Sequence, residues 1–275
     1  MTNTYSLTIP DIAKAVLASQ LRERQQKDEL CGAFWAAVAV TALTGLTVSQ
    51  DDAAVAAGTL LSAGGGSLDD LPPGAVSRTD YLRAIATTAD TRLAGTSPRG
   101  LVRAIGLLTD GALTAVPLRG PWREKSVEAL ADFVLDGGDA VAILNVATRY
   151  LWHSHLSLLD VTDFLDGADV TYPGSEWDVG HYVAIAGSLT ADADGGRRVL
   201  LCADTYQSLG AKGLHPQPAS RLAAGLNRDG ATTSGGAIVV VPSHRAASVK
   251  AWAAEAGVAA GYWDNGVPDG NEVDQ

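Results

Sequence analysis

The sequence predicts an α+β fold in which a central helix packs on an antiparallel sheet, with an enlarged helical part ahead of the strands. Three observations predict it. Up to about Gly138 the apolar residues recur mainly at helical spacing. From Ala140 onward, short runs rich in Val and Ile take over, bounded by Gly, Pro or Asp as strands are. One stretch, "LCGAFWAAVAVTAL" at 30–43, is apolar on nearly every face, as a helix in the middle of a domain is. With 275 residues and an apolar fraction of 47 %, the chain can fill a sizeable core. The organisation expected is a single domain over 1–262, with a helical lobe at about 1–137, a sheet lobe at about 138–262, and a disordered tail at 263–275.

The elements follow in order. "PDIAKAVLASQLRER" opens with Pro10 at a position helices tolerate, and Ile12, Val16, Leu17 and Leu21 line one face. The charged "QQKDE" interrupts, and the central helix starts near Cys31. "DDAAVAAGTLLSA" reads as a third helix with its acidic residues in the first turn, where the helix dipole favours them. "GGGSLDDLPPGAVS" is a loop. "TDYLRAIATTA", "SPRGLVRAIGLL" and "SVEALADFVLD" are further helices, the last two with Ser97 and Ser126 as caps. "AVAILNVATRYLW", "HYVAIAGSL", "RRVLLCADTY" and "GGAIVVVP" are strands, and the turn residues of "LTADADGGRR" make the second and third antiparallel neighbours. "QPASRLAAGLN" and "SHRAASVKAWAAEAG" complete the pattern as helices.

Composition narrows the partners. A formal charge of −11 repels a phosphate backbone, so nucleic acid is not expected. The N-terminal stretch lacks the basic, apolar and small-residue succession of a secretory signal, and no uncharged apolar run reaches bilayer-spanning length. A cytoplasmic protein without membrane contact is the expectation, with Cys31 and Cys202 kept reduced.

Chemistry concentrates on one thiol. Cys31 sits where the central helix begins, and a helix N-terminus favours a thiolate through its dipole and unpaired amides. Gly32 beside it lets another chain approach closely. Among the histidines, His181 stands at the start of the apolar strand "HYVAIAG", placed to present an imidazole at the sheet edge as a base within reach of the sulfur. The strand paired with it ends in "CADTY", so an antiparallel register sets the Asp204 carboxylate beside the ring to fix its tautomer. Cys202, on the same face of that strand as Asp204, is assigned no chemistry. "HSH", His153 and His155, lacks a third ligand nearby, so no metal site is expected, and "GGGS" lacks the features of a phosphate loop. No cofactor is implied.

The order Cys, His, Asp resembles the papain-like cysteine peptidases, and among them the C39-like group, whose nucleophile lies in a Cys-Gly pair at a helix start. "GHYVAIAG" is similar to that group's histidine strand and "CADTY" to its "DPY" turn, with Thr205 in place of proline. "DAVAILNV" looks like the strand preceding the histidine strand. The resemblance implies an oxyanion-hole glutamine six residues before the cysteine, which is Gln25, with Gln26 as the alternative one residue on. "CGAFW" also fits the papain nucleophile pattern in a register that puts Phe34 at the cysteine position and Asp28 at the oxyanion position; Gln25 favours the Cys31 register. Trp177 and Tyr182, flanking His181, are expected as an apolar wall for substrate. The activity implied is hydrolysis of a peptide or small amide through a Cys31 thioester. A transamidase or peptide cyclase on the same residues, or a non-catalytic peptide-binding protein on the same scaffold, are the alternatives.

Overall fold

The computed structural model describes residues 4–168, 172–175, 177–192, 196–229 and 231–269. The elements are β1 (Tyr5–Thr8), α1 (Asp11–Glu23), α2 (Cys31–Thr44), α3 (Gln50–Ala57), β2 (Leu60–Ser62), β3 (Ala86–Thr88), α4 (Pro98–Leu108), β4 (Leu113–Arg119) and α5 (Glu124–Asp136). They continue with β5 (Val141–Ala147), α6 (Leu158–Leu165), β6 (Gly180–Ala191), β7 (Arg198–Ala203), β8 (Leu214–Gln217), α7 (Ala219–Asn227), β9 (Gly236–Pro242), α8 (Ala246–Glu255) and β10 (Ala259–Ala260).

The main sheet has eight strands in the order β10-β4-β9-β5-β6-β7-β8, with β1 added to the far half of β6. Every pairing in it is antiparallel. A bulge at Ile185/Gly187 on β6 shifts the register against β7 just where the strand passes from one set of neighbours to the other.

Strand alternation divides the core in two. Leu144, Val146, Val183, Ile185 and Val239 point to one face, where α5, α7 and α8 cover them with Leu130, Val134, Leu222, Leu226 and Val249. Ile143, Tyr182, Ala184, Ile238 and Val240 point to the other, which receives Phe34, Trp35 and Val38 of α2 and Leu101 and Ile105 of α4. The expected helix-on-antiparallel-sheet arrangement is therefore present, but helices lie on both faces. This explains why the β5 and β9 strands, Asn145 excepted, are apolar rather than alternating.

Four expectations are corrected. The boundary near residue 138 does not separate a helical lobe from a sheet lobe, because β1 and β4 from before it pair with β6 and β9 from after it. Residues 79–89 form no helix: Lys27 Nζ holds Asp80 O, Leu82 N–H donates to Asp51, and the chain ends as β3, parallel to β2. Tertiary hydrogen bonds here override a helical pattern whose Leu82 is left exposed. Ser126 is the third residue of α5, where its hydroxyl accepts from Arg123 N–H, and the cap position belongs to Arg123; Ser97 does cap α4. Residues 263–269 of the expected disordered tail are packed, with Trp263 buried; residues 270–275 lie outside the described residues. Among the described residues no helix is long and apolar enough to cross a membrane.

Candidate active site

Cys31 is the first residue of α2, and the residue before it, Leu30, offers no side-chain cap to the helix's free amides. Its thiol is partly exposed, while residues 32–40 behind it are buried. The helix is fixed in place by Trp35, one turn further on, whose Nε1–H donates to Tyr182 O at 2.8 Å. That bond seats the helix start beside the residue preceding Tyr182 in β6, which is His181.

His181 is buried and paired with Val146 of β5. Its Nε2 lies 3.1 Å from Asp204 Oδ1, and the Cys31 thiol stands near enough to the ring to raise its proton affinity. The Trp177 ring stands 4.7 Å from the imidazole, and the Tyr206 ring stacks on it at 5.9 Å and 28°. Asp204 follows β7 directly; its Oδ1 also accepts from Tyr206 N–H at 3.0 Å, and its backbone carbonyl accepts from Gln20 Nε2.

The electrostatics follow from this enclosure. Burial opposes a charge on His181, but the Asp204 carboxylate and the Cys31 sulfur outweigh it and hold the imidazolium up to about 10. Burial likewise opposes charge on Asp204, and the neighbouring His181 and His215 overcome it, keeping the carboxyl well below the usual carboxylate range. Burial pushes the Cys202 thiol up, and its side chain lies in the core on the α5 and α7 face.

These groups open on a cleft of about 270 Å³ whose walls include Gln26, Cys31, Trp177, His181 and Tyr206. Of the residues picked from sequence, Cys31, His181, Asp204 and Trp177 come together here. Gln25 does not: its amide donates to Val76 O at 2.5 Å, its carbonyl accepts from Arg78, and it is absent from the cleft wall. Gln26 takes the place instead. Its backbone N–H donates to Thr205 O at 3.1 Å and its Oε1 accepts from the Thr205 hydroxyl at 2.5 Å, which leaves its amide hydrogens for the cleft. The one-residue difference arises in a loop framed by Arg24 and Glu29, both at positive φ, a turn that counting along the chain cannot see.

Tyr182 is also corrected: it points to the opposite face, buried in the α2 core with its hydroxyl near Thr96 O. Gly32 packs against Thr96, and a Cβ there would lie 2.8 Å from Thr96 Cβ, so it serves a close helix contact rather than the cleft wall. Phe34 is fully buried, edge-on to Trp35, which removes the alternative register from the cleft. His155 N–H donates to His153 Nδ1 at 3.2 Å, and among the described residues no group of three or more His, Cys, Asp or Glu is placed to hold a metal.

Sequence reasoning missed His215 and Gln217. They alternate on β8, directly across from β7, and His215 Nε2 lies 3.5 Å from Asp204 Oδ2. The available signal was the spacing of two polar residues in "LHPQP", downstream of the strand that leads into Asp204. A comparison with curated proteins gives no match. A family model matches residues 10–264, which include every residue of the cleft, and the chain belongs to that family, described as a family of unknown function (DUF6885).

Proposed function

We propose that the protein is a papain-like, C39-like cysteine hydrolase that cleaves a peptide or small amide bond. The observation that carries this reading is the buried His181 ring, caught between the thiol at the start of α2 and the Asp204 carboxylate. That is the geometry nucleophilic catalysis by a thiol requires. The papain-like assignment adds the order Cys31, His181, Asp204 and a helix laid with its N-terminus against a sheet end.

In the proposed reaction the Cys31 thiolate attacks the carbonyl carbon, and the carbonyl electron pair moves onto oxygen. Gln26 Nε2–H and the Cys31 backbone N–H receive that oxyanion. Collapse expels the amine, which takes its proton from His181, and leaves a thioester. Water then gives a proton to His181 as it attacks the thioester, the acid departs, and the thiolate is regenerated. Asp204 holds the imidazole in the orientation both transfers need.

Alkylation by iodoacetamide, followed by intact-mass spectrometry, tests the reading. Cys31 should label much faster near neutral pH than an ordinary exposed thiol, and His181→Ala should slow it by about 10²-fold, the lower end of what a positioned base contributes. Cys202, fully buried, serves as the unreactive internal control. A Cys31 that reacts at an ordinary rate, unchanged in His181→Ala, overturns the proposal.

A further inference from the structure

Asp204 faces two buried imidazoles. Its Oδ1 receives His181 Nε2 and Tyr206 N–H; for Oδ2 the neighbour is His215 Nε2. Which hydrogen His215 carries is decided one residue pair further away. Gln217 Oε1 accepts from Trp152 N–H at 2.7 Å, so its Nε2 must be the end that faces Trp152 O at 3.1 Å and His215 Nδ1 at 3.1 Å. A flipped amide would set donor against donor and acceptor against acceptor at both Trp152 groups. Because Gln217 donates, Nδ1 of His215 must accept, and the neutral ring then carries its hydrogen on Nε2, the nitrogen that stands 3.5 Å from Asp204 Oδ2.

We propose that His215 is a positioning residue: held in the Nε2–H tautomer by Gln217 and the Trp152 backbone, it fixes the free oxygen of Asp204 so that the other faces His181. This rests on the hydrolase reading for its purpose, but not for its geometry. The chain runs from the loop after β5, through β8, to the end of β7 and then to the thiol. It gives a reason for two buried polar side chains on a four-residue strand, where apolar residues would cost less to bury. The other titratable groups around Asp204 are His181 with Cys31 behind it, Cys202 opposite His215 in the β7–β8 ladder, and Tyr206.

Two measurements on the full chain test this. Long-range ¹H–¹⁵N NMR at neutral pH should show His215 with an unprotonated Nδ1 and a protonated Nε2; a ring protonated on Nδ1 overturns the proposal whatever the thiol does. The second is the pH profile of Cys31 alkylation. In Gln217→Glu the new carboxylate can only accept, so it draws a proton onto Nδ1 and makes His215 a second cation on Asp204. The alkaline limb of the profile should then move down by about one pH unit, a tenfold change in the His181 proton affinity. His215→Phe should slow alkylation at neutral pH about tenfold by leaving a buried acceptor without its partner, and His215→Gln, which can still donate, should recover most of it. Equal rates in Phe and Gln variants that retain the wild-type melting transition overturn the proposal. If the variant chains do not fold, the wild-type tautomer still decides. Failure of the hydrolase reading would appear separately, as an ordinary Cys31 rate in the wild-type protein.

Discussion

At the residue scale the proposed reaction divides the site between groups that would handle protons and groups that would handle charge on oxygen, and the two respond to different probes. Gln26 offers amide hydrogens to the cleft, whereas Gln25 is bound to Val76 O. Gln26→Ala should therefore lower acylation by p-nitrophenyl acetate by about 10²–10³-fold while leaving iodoacetamide labelling, which forms no oxyanion, nearly unchanged. Gln25→Ala should alter neither. A matched loss in both assays for Gln26→Ala would mean that it shapes the thiol instead. The pH dependence follows from His181. Its proton affinity is raised in the folded chain, so the stability it contributes is complete below its ordinary value of 6.5 and is lost as pH rises through about 10. Urea midpoints measured across that window should fall with pH in the wild type and fall less in His181→Ala.

At the element scale the cleft wall is held by a buried ion pair rather than by a regular element. Lys27 Nζ sits 2.5 Å from Asp51 Oδ2, both side chains are nearly inaccessible, and the same lysine binds Asp80 O while the aspartate accepts from Leu82 N–H. The pair thus joins the loop carrying Gln26 to the start of α3 and to the strap at 79–85. A buried charge stripped of its partner costs more than the pair returns, so Asp51→Ala should destabilise the protein by about 3–5 kcal/mol in denaturant unfolding. Its effect on labelling should exceed that of any exposed acidic residue, because Gln26 lies one residue before the lysine and Cys31 four residues after it. A loss under about 1 kcal/mol would show that the loop is held by other contacts, such as the Asp28 bonds to Ser77 and Arg78 N–H.

At the scale of the whole molecule the C-terminal stretch closes the fold on itself. Trp263 is buried against Gly236, where a Cβ would approach its ring to 2.3 Å, and its Nε1–H donates to Asn145 Oδ1 at 3.3 Å. Asp264 O accepts from Ser234 N–H at 2.7 Å, Asn265 donates to Thr96 O at 3.1 Å, and Asp269 pairs with Arg103 at 2.8 Å. Strands β5 and β9, helix α4 and the segment that backs Gly32 are all stitched by residues that composition alone reads as a tail. Trp263→Ala should cost about 3–5 kcal/mol, as truncation of a buried aromatic does. Limited proteolysis of that variant should open the chain near residues 259–269 first; an unchanged urea midpoint would show the stretch to be merely resting on the surface.

What the sequence determined by itself is whatever rests on local pattern. The all-round apolar character of α2, the strand runs of β5, β6, β7 and β9, the antiparallel pairing of β6 with β7, and the cap at Ser97 were all legible, because each is decided within a few residues. So were Cys31, His181 and Asp204, since a helix start and two paired strand ends locate them without knowledge of the rest. The structure decided what depends on partners distant in the chain. The segment at 79–89 has a helical pattern, yet Lys27 and Asp51 hold its first part out of a helix; β4 completes a sheet built mostly from residues beyond it. Gln26 displaces Gln25 through positive-φ turns and the Thr205 contact, and His215 reaches Asp204 only once β8 is laid beside β7. Periodicity records which face a residue prefers, but not which distant hydrogen-bond donor will meet it there, and in this protein those meetings fix the second layer of the site.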